Sequence, residues 1–159
     1  MGKKYFLDTE FWERPCTIDL ISIGIVAEDG REYYAENKEI EGLVITNEWL
    51  QCNVIPRLVG PRKTRLEIAS DIIAFVGADK PEFWGYYADY DWVTFCWLFG
   101  SMVDLPRGFP MFCRDLIESP QYKELVAGKW ELREDANSKN DYHTTTSGRR
   151  LVASITGKA

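Results

Sequence analysis

The sequence lacks the features that define membrane and secreted proteins. No apolar stretch reaches the about 20 residues that a membrane-spanning helix needs. The longest one, around residues 20–27, is interrupted by Ser22 and Gly24. The first residues of the chain contain no long apolar segment of the kind found in signal peptides. We therefore expect a cytoplasmic protein that does not act at a membrane.

Basic residues and paired cysteines are also scarce. The 19 Lys and Arg residues stand against 25 Asp and Glu residues, which gives a net charge of −6. Such a charge argues against a protein that coats nucleic acid by bulk electrostatics, but it is compatible with an enzyme whose acids are neutralised by metal ions. The four cysteines show neither a C-x-x-C pair nor zinc-ligand spacing, and we expect them to be reduced and buried: Cys16, Cys52, Cys96 and Cys113.

Aromatic residues, in contrast, are abundant. They make up 14% of the 159 residues and include six Trp. Aromatic rings build protein cores and stack on nucleobases. They are also enriched at protein interfaces, and for this reason we also expect a homodimer. Because the chain has no internal repeat and no linker, we expect a single domain over residues 1–159, atypical from about residue 144.

The apolar patterns predict an α/β fold. Residues 5–7, 17–27 and 31–35 are rich in β-branched and aromatic residues and are joined by short connections, which predicts three antiparallel strands. Helical spacing or capping residues predict helices at 47–51, 66–76 and 92–99, with strands at 81–86 and 109–112 and a helical turn at 114–118. This order, three antiparallel strands and then helix–strand–helix–strand, predicts a mixed central sheet flanked by helices.

Two acids follow the first strand at a spacing of two. Alternation along a strand places Asp8 and Glu10 on the same side of the chain. Two like charges held close together raise each other's pKa unless a cation lies between them, and hard oxygen ligands suit Mg²⁺ or Mn²⁺. The alternative is a strand that simply ends in an exposed acidic turn.

A third acid follows a later strand. Asp91 comes after the strand at 81–86 and stands at the start of a predicted helix, where functional side chains of α/β sheets collect. An aspartate at this position is also a common helix cap with no chemical role. Asp89, two residues earlier, is a weaker candidate that we expect to lie in the loop.

Two motifs resemble those of a known enzyme family. Leu7-Asp8-Thr9-Glu10-Phe11 resembles the first motif, Asp-x-Glu, of the DEDD 3′–5′ exonucleases, and residues 90–95 (YDWVTF) resemble the second. Residues 18–34, together with Phe83-Trp84 and residues 97–100, are similar to the mycobacterial polyadenylate-specific 3′-exoribonuclease AS group and its phage relatives. The resemblance covers roughly residues 4–118, continues to His143, and implies a ribonuclease H-like fold.

The resemblance implies a two-metal phosphodiesterase that acts at the single-stranded 3′ end of RNA or DNA. Asp8, Glu10 and Asp91 would bind two Mg²⁺ or Mn²⁺ ions, one activating a water and the other stabilising the leaving oxygen. The backbone around Thr9 and the ring of Phe11 would meet the terminal nucleoside, although Phe11 as ordinary core packing is the alternative.

The third motif is incomplete. In the His-type branch of the family, a histidine serves as the general base and the fourth metal-binding aspartate follows five positions later. His143 is the only histidine and is suited to this role near neutral pH. The fifth position after it is Gly148, however, and no acid follows His143 anywhere in the chain.

Three explanations of this gap stay open. In the first, Asp141 replaces the missing ligand, and in the second, the chain binds without cutting. In the third, a frameshift has altered the tail, since Gly-Arg-Arg codons read one base later can encode Asp-Ala. The leading hypothesis is a metal-dependent 3′–5′ exonuclease, more specifically an exoribonuclease. The competing one is a ribonuclease H-like nucleic-acid-binding module that lacks the fourth acid.

Two basic groups complete the sequence-based picture. One group precedes the predicted helix at 66–76 and contains Arg57, Arg62, Lys63 and Arg65; the other is Arg149-Arg150. Either group could neutralise substrate phosphates, and we assign Arg62 and Lys63 to substrate binding. A solvated surface cluster is the alternative.

Overall fold

The protein is built on a mixed β-sheet, which a computed structural model describes over residues 2–120. The strands of this part are β1 (Lys3–Arg14), β2 (Thr17–Ala27), β3 (Glu32–Asn37), β4 (Arg62–Lys63), β5 (Pro81–Gly85) and β6 (Arg114–Asp115). They lie in the order β4-β3-β2-β1-β5-β6. The first three pair antiparallel, whereas the β3–β4, β1–β5 and β5–β6 pairs are parallel. The prediction of an α/β protein with a mixed sheet is therefore confirmed.

In the described part of the chain, three α-helices accompany the sheet, namely α1 (Glu48–Asn53), α2 (Arg65–Val76) and α3 (Asp89–Trp97). As predicted, the Asn47 side chain accepts a hydrogen bond from the backbone N–H of Leu50, 3.0 Å away, and so caps α1. Helix α2 starts with a capping box between Thr64 and Glu67 and ends at Gly77, whose φ of 62° favours glycine. None of the helices within residues 2–120 is long and apolar enough to cross a membrane.

The two faces of the sheet are covered differently. One face packs against α2 and α3 through the main apolar cluster, which includes Tyr5, Ile23, Ile72 and Phe95. Two smaller clusters contain further residues of β1: Phe6 packs with Leu116, and Trp12 packs with Ile21, Leu50 and Val54. Asp8 and Glu10 therefore lie between two apolar clusters along β1.

Strand β1 is longer than the sequence pattern predicts. It continues to Arg14, so that Asp8 and Glu10 lie inside the strand and not in a turn at its end. Pairing with β2 along residues 5–14 supplies the backbone hydrogen bonds that allow this extension. The connection predicted at residues 11–16 shrinks to a turn at Pro15 and Cys16, where Cys16 has a φ of 62°.

Other expectations also need correction. The predicted strand at 109–112 is not formed, and β6 lies two residues further on, followed by a 3-10 turn at Leu116–Glu118. The helical spacing of apolar residues in 66–76 predicts one buried face that includes Leu66 and Ile73, but these two residues are 79% and 47% exposed. All four cysteines are free, as expected, but Cys16 and Cys52 are exposed because they lie in a turn and on the outer side of α1.

Candidate active site

The centre of the candidate site is the acid pair on β1. Asp8 lies opposite Gly24 of β2 and Glu10 lies opposite Ser22, so the two carboxylates project from the same face of the sheet, as predicted. A β-bulge follows directly, because the register shifts between Glu10 and Phe11. Bulges of this kind redirect side chains next to functional sites. Here the extra residue is Ile21 of β2, and Phe11 points away from the two acids by the ordinary alternation along β1.

The environment of the pair disfavours negative charge. Burial raises the pKa of Asp8 to about 7, and the nearby charge of Asp91 contributes to the shift. Burial also raises the pKa of Glu10 to about 8, with further contributions from Asp8 and Asp91, while the positive charge of Arg57 acts in the opposite direction. The three acids thus interact electrostatically. Each ionised carboxylate makes ionisation of the others more costly.

Asp91 reaches this group from helix α3. The helix begins at Asp89 and has Ala88 as its cap residue, so Asp91 belongs to the first turn and is not the N-cap. Its side chain is 7% exposed, and its Oδ1 accepts hydrogen bonds from the backbone N–H and the Oγ1 of Thr9, at 2.7 and 2.6 Å. A residue 82 positions away in sequence is therefore fixed against the middle of β1. The capping alternative is wrong for Asp91.

A glycine at the end of β5 permits this approach. A Cβ atom on Gly85 would lie 2.5 Å from the Cβ of Ala88 and 3.3 Å from the carbonyl oxygen of Leu7. Any larger residue would push the start of α3 away from β1. The close contact places the first turn of the helix beside Thr9, where the Asp91 carboxylate meets the strand.

The acid pair has donor chemistry that fits a hard divalent cation. The Oε1 atom of Glu10 is buried and has no hydrogen-bond partner within residues 2–120, and a buried carboxylate oxygen of this kind needs a compensating positive group. No set of three or more His, Cys, Asp or Glu side chains in the described part of the chain is gathered closely enough to hold a metal ion. A cation shared by Asp8, Glu10 and Asp91 therefore requires the three carboxylates to move closer together.

The two residues expected to meet the terminal nucleoside have different surroundings. Phe11 is partly buried, and its ring centroid lies 5.8 Å from that of Tyr90, which leaves part of the ring accessible. Thr9 is only 3% exposed, and its hydroxyl contacts Asp91 and lies 3.4 Å from that of Thr94. The Thr9 side chain thus orients Asp91 and does not face the surface, and the contact of the backbone around Thr9 with the nucleoside stays a prediction.

Most of the basic residues before α2 form ion pairs with acidic side chains. Arg62 pairs with Glu41 at 2.7 Å, and Lys63 pairs with Asp71. Their charges are thus balanced within the protein, and their assignment to substrate binding stays a prediction. Arg57 differs, because it takes part in none of the ion pairs among residues 2–120 and its charge acts on Glu10.

The remaining predicted residues lie outside the described part of the chain. These are the general-base candidate His143, the alternative ligand Asp141, and Gly148 with the two arginines that follow it.

Comparison with known proteins gives consistent results. Residues 3–147 match the model of the 3′–5′ exoribonuclease Rv2179c-like domain, a range that includes His143 and ends one residue before Gly148. The 3′–5′ exoribonuclease Rv2179c of Mycobacterium tuberculosis strain H37Rv is 42% identical over 120 residues, which is 71% of this chain and 71% of that protein. The 3′–5′ exoribonuclease MT2234.1 of M. tuberculosis strain CDC 1551 / Oshkosh matches with the same identity and coverage.

Proposed function

The chain belongs to the family of Rv2179c-like 3′–5′ exoribonuclease domains, and from this membership we propose that it shortens single-stranded RNA from the 3′ end by metal-dependent hydrolysis. In this proposal the protein is a His-type DEDD nuclease with a ribonuclease H-like fold and phage relatives. The mixed sheet with its three helices is compatible with such a fold.

The observation that carries the proposal is the group of three interacting acids. Asp8 and Glu10 project from one face of β1, Asp91 is fixed against the same strand, and burial together with mutual repulsion raises the pKa of the pair. Such an arrangement destabilises the protein unless a cation or a proton compensates it, which is typical of a functional site.

We assign Asp8, Glu10 and Asp91 as the residues that would hold Mg²⁺ or Mn²⁺, with two ions expected. When bound, these ions would supply positive charge to the phosphate and activate water. Thr9 holds Asp91 in place, and the Phe11 ring offers a stacking face to the terminal base. His143 would accept the proton of the attacking water.

The experiment that tests this proposal uses a 5′-labelled single-stranded oligonucleotide with Mg²⁺ or Mn²⁺. We expect a ladder of products that shorten by one nucleotide at a time from the 3′ end, and faster shortening of the ribo- than of the deoxyribo-oligonucleotide. Release of the labelled 5′-terminal nucleotide as the first product, or cleavage only at internal positions, would contradict the proposal.

The same experiment decides between the enzyme and a binding module. The absence of any acid after His143 favours the module, because the fourth ligand of the family has no counterpart there. Tight binding of the oligonucleotide without shortening, even at high protein concentration and with either metal, would establish the module as the function.

A substitution at Thr9 tests the positioning of Asp91. Thr9→Val keeps the shape of the side chain but removes the Oγ1 hydrogen bond, and we expect kcat to fall by about tenfold while KM changes little. Thr9→Ser, which restores the hydroxyl, should recover most of the activity. A larger change in KM than in kcat would instead indicate that Thr9 contacts the substrate.

A further inference from the structure

A tyrosine with a strained backbone lies in the turn between β5 and α3. Tyr87 has a φ of 51°, in the left-handed region that bulky side chains rarely adopt and that glycine adopts without steric cost. Cys16 is the other non-glycine residue with a positive φ within residues 2–120, and the tight turn after Pro15 accounts for it. Tyr87 is not part of a hairpin, because α3 begins two residues later. Strain of this kind is concentrated at functional sites, where the surrounding structure maintains it.

The backbone around Tyr87 is held in place by its neighbours. The Asp115 carboxylate accepts hydrogen bonds from the backbone N–H groups of Tyr87 and Ala88, each 3.3 Å long. On the other side of the turn, a Cβ atom on Gly85 would lie only 2.5 Å from the Cβ of Ala88. The Tyr87 side chain is nevertheless 64% exposed, and its ring contacts that of Tyr86 with a centroid distance of 4.6 Å. A fixed backbone thus presents an aromatic ring to solvent.

This turn lies beside the acid pair. Strand β5 runs parallel to β1, and Gly85 at its end lies against the carbonyl group of the residue directly before Asp8. The ring of Tyr86, which contacts that of Tyr87, packs against the apolar cluster that contains Phe6. Phe6 and Asp8 project from the same face of β1, because they are two residues apart. The ring of Tyr87 is therefore close to the face of the sheet that carries the acids.

The rings of Tyr87 and Phe11 lie on opposite sides of the acid pair along β1. Phe11 follows the pair on the strand, whereas the turn with Tyr87 lies next to the residues that precede it. In the proposed reaction, the phosphate that is cleaved lies at the acids, between the terminal and the second nucleotide. Because Phe11 is assigned to the terminal base, the second nucleotide extends toward Tyr87.

We propose that Tyr87 is a further substrate-binding residue, whose ring stacks on the base of the second nucleotide from the 3′ end of the RNA. The inference rests on the proposed function, because it takes RNA as the ligand and Phe11 as the contact of its terminal base. Stacking of bases on exposed aromatic rings is typical of proteins that bind single-stranded nucleic acid. A ring on a fixed backbone also loses little conformational freedom on binding, which compensates for the strained φ of Tyr87.

The test measures binding of the full chain to a 5′-labelled RNA oligonucleotide by fluorescence anisotropy. Ca²⁺ replaces Mg²⁺, and a phosphorothioate at the terminal linkage keeps the strand intact. Tyr87→Leu retains an apolar side chain but lacks a ring, and we expect it to bind about tenfold more weakly, the effect of one stacked base. Tyr87→Phe retains the ring and should bind like the wild type. Trp97→Leu, which removes a 43% exposed ring at the end of α3, is the control and should also bind like the wild type.

A modified oligonucleotide assigns the effect to the second base. An abasic nucleotide at the second position from the 3′ end should weaken binding to the wild type and to Trp97→Leu by about tenfold. It should cause no further loss in Tyr87→Leu, because the ring and the base are the two partners of one contact. An abasic nucleotide at the fourth position should affect all three proteins equally.

A comparison of glycine and alanine variants separates the strain from the ring. Tyr87→Gly and Tyr87→Ala both lack the ring and should bind RNA equally weakly, but Tyr87→Gly should unfold at a higher urea concentration, since glycine adopts the left-handed conformation freely. Cys16→Gly should likewise unfold at a higher urea concentration than Cys16→Ala. Both Cys16 variants should bind RNA like the wild type, because relief of strain alone does not change the proposed contact.

The outcomes separate this inference from the proposed function. Wild-type affinity of Tyr87→Leu would overturn the stacking contact, as would a loss at the second abasic position that persists unchanged in Tyr87→Leu. Shortening of unmodified RNA by the wild type with Mg²⁺, together with either result, leaves the nuclease function intact. Failure of the wild type to shorten RNA would contradict the nuclease function alone, because the anisotropy measurement still reports on the ring.

Discussion

Asp8→Asn is expected to abolish the shortening of RNA while the protein stays folded. The amide keeps the size of the side chain but removes the negative charge and one ligand oxygen with strong affinity for a hard cation. Since the proposed reaction depends on charge held at this position, we expect kcat/KM to fall by at least about a thousandfold. The measurement is the initial rate of product formation from a labelled oligonucleotide at saturating Mg²⁺.

The matched control for this variant is Asp89→Asn. Asp89 is exposed and lies two residues before Asp91 in the first turn of α3, so it tests the removal of one negative charge close to the site. We expect its activity to stay within about threefold of the wild type, as for a surface charge. Activity of Asp8→Asn at a comparable level would remove Asp8 from the proposed reaction.

The second large effect concerns stability in the absence of divalent metal. Asp8 and Glu10 have pKa values near 4 in an unfolded chain, and the folded protein raises them to about 7 and about 8. Between about pH 4 and about pH 8, the folded state therefore binds more protons than the unfolded state. The free energy of unfolding consequently falls as the pH rises. Allowing for partial exposure, we expect the free energy of unfolding to decrease by about 2–4 kcal/mol between pH 5 and pH 9.

Urea denaturation in EDTA at several pH values checks this prediction. The double variant Asp8→Asn/Glu10→Gln should lose most of the pH dependence and be more stable than the wild type at pH 8. Addition of Mg²⁺ at pH 8 should stabilise the wild type but not the double variant, because only the wild type offers a binding site. A wild type that becomes more stable from pH 5 to pH 9 in EDTA would show that the pair is not electrostatically strained.

The sheet and the acid pair were accessible from sequence because both depend on local patterns. Alternation along β1 predicts that Asp8 and Glu10 share a face, and the β-branched run at 17–27 predicts β2 with its observed ends. Asn47 marks the start of α1 through its capping side chain, and Gly77 marks the end of α2 through its positive φ. Such features require no knowledge of distant parts of the chain.

The parts that could not be predicted depend on long-range contacts. The extension of β1 to Arg14 follows from pairing with β2, and the contact between Asp91 and Thr9 joins residues 82 positions apart. Similarly, nothing local indicates that Arg62 is paired with Glu41 and that Arg57 is the basic residue that acts on Glu10. Likewise, the buried carboxylate of Glu36 on β3 accepts a hydrogen bond from the backbone N–H of Gly60, 24 positions away in the segment after α1.

The contact between Asp91 and Thr9 also has a consequence for association between molecules. Strand β5 pairs with β1 only along Lys3–Phe6, so none of the described strands covers that side of β1 further along. An uncovered strand edge is a template for pairing with another chain. The Asp91 carboxylate accepts a hydrogen bond from the backbone N–H of Thr9 on β1. It also places a negative charge beside the strand. The same acid that we assign to metal binding thereby engages a backbone donor that an added strand of another chain would otherwise use.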